Sequence, residues 1–270
     1  GQPSSAEPAA WTALALIARN EFQLALRPAQ WLASIQQANG AVGMSVEQPR
    51  PRWPTSLAIQ VWQTIEPEPG GSPRFQRQIE QAVEYALHTR GNTGPRKPQV
   101  GHDTTIPGWS WAEDTHSWME PTCYFVQALR AVGLEDHQRA RQGVRMIVDR
   151  LLPIGGCNYG NTFALGQMLL PHVQPTGIAL QTLAHEPVAD PRIEKSLAYL
   201  ERSIDQNTPA VSLAHALLGL AAHRRCPAEA EAWLQDQGET LRPEVTAAYR
   251  QALLLLALTH VQNAYSAKAH

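Results

Sequence analysis

The densest group of side chains able to do chemistry lies between Gly101 and Glu120. It holds the histidines His102 and His116, the carboxylates Asp103, Glu113, Asp114 and Glu120, and three tryptophans, Trp109, Trp111 and Trp118. Carboxylates and imidazoles can exchange protons as general acids and bases, and tryptophan faces attract cations. Asp103, Glu113, Asp114 and His116 are therefore the expected catalytic residues. Trp109, Trp111, Trp118, Tyr124 and Tyr159 are the expected lining of a ligand cavity. Unstructured loops of this length are usually functional or disordered, and three tryptophans argue against disorder. A packing role fits the same residues: the indoles staple one loop over the fold while the carboxylates cap helices and face water.

The elements that must position this loop are helices. Several of the 21 prolines open apolar helical patterns, where the missing N–H would have no partner in any case. Such segments run from Pro54 to Trp62, Pro121 to Leu129, Pro175 to Leu183, Pro209 to Leu220 and Pro243 to Leu258, and a sixth from Pro8 through Trp11 to Ala18. The five later prolines are spaced by 67, 54, 34 and 34 residues. Between these segments lie amphipathic ones at Pro28–Gln37, Phe75–Thr89, His137–Leu152, Pro191–Ile204 and Ala228–Gln237. Helices apolar nearly all round are buried on more than one side, whereas amphipathic ones bury a stripe. Alternation of the two kinds, with periods in the thirties, predicts stacked helical hairpins. The expected fold is all-α, an α/α toroid of about six hairpins with apolar inner and amphipathic outer helices, in one domain over residues 1–270. Leu180, Leu217, Leu220, Leu254 and Leu258 are expected to be buried.

Composition narrows the partners. With 43% hydrophobic and 17% charged residues the chain can bury a core, unlike a disordered sequence. Its net charge of −2 argues against a nucleic-acid protein that depends on a basic face. The three cysteines, Cys123, Cys157 and Cys226, form no C-x-x-C pair, which favours a reducing, cytoplasmic setting over a disulfide framework. The longest strongly apolar run, Ala252 to Leu258, is far shorter than the ~20 residues that span a bilayer.

The segment from Trp31-Leu32 through Gln36 and Gly40 to Val42 resembles the QW repeat of squalene cyclases, with Val42 in place of the closing Trp. Gly155-Gly156-Cys157-Asn158-Tyr159-Gly160 is similar to the Gly-Gly-Trp-Asn-Tyr-Gly turn of such repeats, and the Pro-Thr helix starts resemble their inner helices. The resemblance implies the superfamily of squalene cyclases and protein prenyltransferase β subunits, with loops gathered at one end of the ring. It implies that Trp31 packs between helices and that the Gln36 amide bonds the start of an inner helix. It further implies a hydrophobic small molecule, an isoprenoid for example, in a central cavity; a peripheral membrane contact would suit such a ligand.

Departures from the family narrow the reaction. The Asp-x-Asp-Asp acid of class II cyclases is absent. Cys123 stands where a prenyltransferase zinc ligand would, but the partner Asp and His positions read Pro121 and Ser212, so no cofactor is expected, with zinc at Cys123 the minority alternative. Cys157 is followed by Asn158, Tyr159 and Gly160, which forbids an internal Cys–Gln thioester. Two readings of different class follow. One is a terpenoid-cyclase-like or prenyltransferase-like enzyme with its acid or base in the Gly101–Glu120 loop. The other is a non-catalytic module that holds a lipid or a partner protein on the toroid.

Overall fold

Apolar and amphipathic segments take up inner and outer positions in one ring. The computed structural model of the protein describes residues 5–65, 74–241 and 247–267. The apolar helices are α1 (Ala6–Ala18), α3 (Thr55–Thr64), α5 (Met119–Ala131), α7 (Val173–Leu183), α9 (Ala210–Ala222) and α11 (Ala247–Ser266). The amphipathic ones are α2 (Phe22–Ser34), α4 (Gln76–His88), α6 (Gln138–Asp149), α8 (Pro191–Ser203) and α10 (Ala230–Glu239). A short antiparallel hairpin, β1 (Phe163–Ala164) and β2 (Gln167–Met168), pairs Phe163 with Met168 between α6 and α7.

Burial follows the sequence pattern. Every residue from Met119 to Leu129 in α5 and from Leu213 to Ala221 in α9 is buried. By contrast α4 buries Ile79, Ala82 and Ala86, one helical stripe. The apolar helices pack in the order α1, α3, α5, α7, α9, α11, and α11 returns to α1, closing the ring. Outside it α2 lies on α1 and α3, α4 on α3, α6 on α5, α8 on α7, and α10 on α11. The protein is an all-α, α/α toroid, with six inner and five outer helices among the described residues.

One device recurs at three of the inner helix starts. A threonine hydroxyl one to four residues into the helix accepts a backbone N–H from the preceding loop. Thr55 takes that of Val42 at 2.8 Å, Thr122 that of Trp109 at 2.9 Å, and Thr176 that of Cys157 at 3.0 Å. Left without these acceptors, the buried N–H groups would each cost about 1–3 kcal/mol. The turns also press on the next outer helix. Gly40, at φ +84°, leaves room for the Gln81 carbonyl of α4, and Gly155, at φ +94°, for that of Lys195 in α8.

Three details differ from expectation. Pro28 lies inside α2, which begins six residues earlier at Phe22. The carbonyl deprived of its partner is that of Leu24, a residue 58% exposed on the outer ring, where water can take the place of the lost bond. The Gln36 amide donates to Gly40 O at 3.0 Å and to Gln78 O at 2.9 Å, tying the turn to outer helix α4 rather than to an inner helix start. Leu180, Leu217, Leu220 and Leu254 are buried, but Leu258 only half so. Pro243 lies outside the described residues.

Candidate functional site

Residues in the first turns of four of the six inner helices converge on the mouth of the ring. Glu7 comes from α1, Glu120 from α5, Gln174 from α7 and Tyr249 from α11. Glu120 is 5% exposed, and its Oε1 accepts the Gln174 amide at 3.1 Å. Burial pushes its pKa up to about 7; the Gln174 bond opposes the rise and the nearby Glu7 adds to it. Glu7 is raised too, chiefly by burial, against hydrogen-bonding influence from Trp11 and Tyr249. The buried indole N–H of Trp11 makes no formed hydrogen bond. Tyr249 is driven far above the usual phenol range by burial and by the two carboxylates. A helix N-terminus favours an anion, but desolvation outweighs that here. Glu120, buried at the mouth with Glu7 near enough to add to the rise, holds a proton near neutrality, as acid–base catalysis requires.

One turn deeper the ring is filled by side chains. Trp11 packs edge-on to Tyr124 at 5.7 Å and to His215 at 5.6 Å. Trp53 lies beside Tyr124 at 6.1 Å and meets Trp111 edge-on at 4.7 Å. His215 is 1% exposed with neither ring nitrogen partnered, and burial holds its pKa down at about 4. It is a neutral imidazole packed against Trp11 in the filled centre of the ring.

The expected site residues are dispersed around this mouth. Asp103 accepts the N–H and hydroxyl of Thr105 at 2.9 and 2.7 Å, bonds that lower its pKa and close a turn. Glu113 pairs with Arg52 at 3.1 Å. Asp114 is exposed at φ +63°, its backbone carbonyl taking the Asn92 amide. His116 is exposed, with its ring 4.3 Å from that of Trp118. Trp109 is 1% exposed between Phe125, stacked at 5.1 Å, and the Arg139 guanidinium at 3.6 Å. The space it shares with Trp111 and Glu113 is about 10 Å3, no more than one water needs. Trp118 caps α5, its N–H on Trp109 O at 2.9 Å. Trp111 and Tyr124 belong to the aromatic cluster under the mouth. Tyr159 is 41% exposed and lines a hollow of about 300 Å3 with His172, Gln174, Tyr199 and Ser212, so Gln174 stands between that hollow and Glu120.

Glu7 did not stand out in the sequence, and Glu120 stood out only as the last residue of the loop. Their signal is positional: Glu7-Pro8, Glu120-Pro121 and Gln174-Pro175 each put a polar side chain immediately before the proline of an inner helix.

Cys123 is fully buried in α5, where desolvation lifts its thiol well above the usual range. Among the described residues no group of three or more His, Cys, Asp or Glu side chains could hold a metal ion. No described helix is long and apolar enough to cross a membrane.

No protein-family model and no curated protein matches the chain. Among solved structures it is similar to a GH8 xylobiose complex from Teredinibacter turnerae. The match has a TM-score of 0.61 at 12% identity over 97% of this chain and 82% of that one. The likeness carries the toroid and does not reach the squalene cyclases that the Trp31–Val42 segment resembles. It also corrects the expected partner. The toroid it matches is complexed with a sugar, not a hydrophobic isoprenoid, and the ring centre is filled by Trp11, Tyr124 and His215. The isoprenoid in a central cavity is withdrawn, and the peripheral membrane contact inferred from it goes too. A lipid or partner protein held on the toroid gains no support.

Proposed function

We propose that this toroid acts on a carbohydrate at the mouth of its ring, with Glu120 as the proton-exchanging group. The observation that carries the reading is Glu120 itself, a carboxyl buried at the mouth, bonded to Gln174 and influenced by Glu7, with a pKa of about 7. Glycoside hydrolysis is the chemistry that asks for two carboxyl groups of unequal acidity: one protonates the leaving oxygen, the other supports the developing cation or activates water. Glu120 suits the first role and Glu7 the second. The adjoining hollow offers the Tyr159 and Tyr199 rings beside the His172, Gln174 and Ser212 polar groups, and sugars need such a mix of flat apolar faces and hydrogen-bonding partners. Similarity of the toroid to a xylobiose complex supports the same ligand class.

The test is a panel of α- and β-linked oligosaccharides, xylobiose among them, read by calorimetry for binding and by mass spectrometry for cleavage. The expected result is at least one saccharide cleaved by the wild type and bound, uncleaved, by Glu120→Gln. No binding and no cleavage across the panel would overturn the reading.

A further inference from the structure

We propose that the hollow between residues 92–106 and Arg150, apart from the carboxyl mouth, is a binding site for the phosphate group of a small phosphate monoester. Its volume is about 370 Å3, within the size range of small-molecule sites. Lys97, His102, His116 and Arg150 line it, with the amides Asn92 and Asn161, and no carboxylate is in the lining. Lys97 and Arg150 are permanent cations, and Asp149, which pairs with the Arg150 Nε, lies outside the lining, so the wall of the hollow presents positive charge to a phosphate monoester, which carries about −1.5 to −2 at neutral pH.

Arg150 is the built part of the site. It is 5% exposed, with its Nε 3.3 Å from Asp149 Oδ2 and its Nη1 donating to Gly160 O. These two bonds fix the guanidinium, and the remaining Nη2 has no partner among the described residues. Asp149 is itself engaged, accepting the Asp103 N–H at 2.9 Å on the same oxygen. His102, also in the lining, is anchored through Nδ1 to Thr162 Oγ1 at 3.1 Å. The positive field is felt by both imidazoles: burial and then Arg150 hold down the pKa values of His102 and His116. A fixed guanidinium with its Nη2 left over, a Lys ammonium and two imidazoles are a set that recognises an oxyanion by charge and by hydrogen bonds together.

The test is titration of the full chain with inorganic phosphate at constant ionic strength, followed by the histidine ring signals in NMR, with acetate as the comparison anion. Saturable shifts confined to His102 and His116, with phosphate binding tighter than acetate, are expected. Lys97→Glu and His116→Ala replace exposed side chains, so the fold should persist. Each should weaken phosphate by about tenfold, read on His102, with the melting temperature unchanged. Shifts that do not saturate or that spread over all histidines, acetate binding as tightly as phosphate, or variants within twofold of wild type would each overturn the site.

Discussion

The Gln174 amide reaches across the ring mouth to the Glu120 carboxyl at 3.1 Å, from the first turn of α7 to the first turn of α5. It is the hydrogen bond that restrains the rise in the Glu120 pKa. Gln174→Ala should therefore raise that pKa above about 7, and a proton-transfer rate limited by Glu120 should shift its alkaline limb upward. NMR titration of the Glu120 carboxyl carbon in both proteins measures it; an unchanged pKa would remove Gln174 from the site.

Stability should carry the mark of the same group. The folded state keeps a proton on Glu120 up to about pH 7, whereas the unfolded chain releases it near 4.5. Between those values the folded state binds more protons, so this group's contribution falls as pH rises, by up to about 3 kcal/mol. Glu120→Gln should remove that loss, so that its advantage in melting temperature over wild type grows from pH 4.5 to 7 and then levels off. A constant difference across that window would contradict the raised pKa.

His215 works in the opposite sense. Its pKa falls from 6.5 in the unfolded chain to about 4 in the folded ring. Its neutral form supports the fold above pH 6.5, and up to about 3 kcal/mol is lost as pH drops from there toward 4. With both ring nitrogens unpartnered in the core, His215→Leu should match or exceed wild-type stability at pH 7 and exceed it by more at pH 5. Denaturant melts at the two pH values decide the matter.

Backbone packing predicts a sharp contrast between two glycines. A Cβ at Gly40 would lie 2.0 Å from the Gln81 carbonyl oxygen, at φ +84°. Gly133 has a similar φ of +74° and open space around it. Gly133→Ala should cost about 1 kcal/mol, the backbone penalty alone, and Gly40→Ala several times more, because α4 must move. Equal losses in chemical denaturation would mean that the turn does not dock on α4.

The ring was legible because burial and proline placement encode it directly. Pro54, Pro121, Pro175 and Pro209 stand at or near the starts of α3, α5, α7 and α9, and all-round apolarity marks those helices as inner. Pro28 misled because an exposed outer helix can tolerate a proline that an inner one could not. The site was less legible. Trp109 drew attention by its chemistry, yet it stands 13 residues before Thr122 as Val42 stands 13 before Thr55. Both residues give their N–H to that threonine, so Trp109 occupies a repeat position in the packing. Glu7 and Glu120 were hard to see because an acid in the first turn of a helix is ordinary on an exposed helix. Only ring closure buries Glu120 and brings Glu7 near enough to influence it.

The central claim rests on what Glu120 does when a sugar arrives. Its carboxyl carbon should be followed by NMR from pH 4 to 9, alone and with xylobiose or the tightest saccharide of the panel. A glutamate signal with an apparent pKa near 7 that vanishes in Glu120→Gln and shifts when the saccharide binds is the predicted result. Titration of every glutamate in the ordinary range near 4.5, or a Glu120 signal that no saccharide moves, would contradict the account.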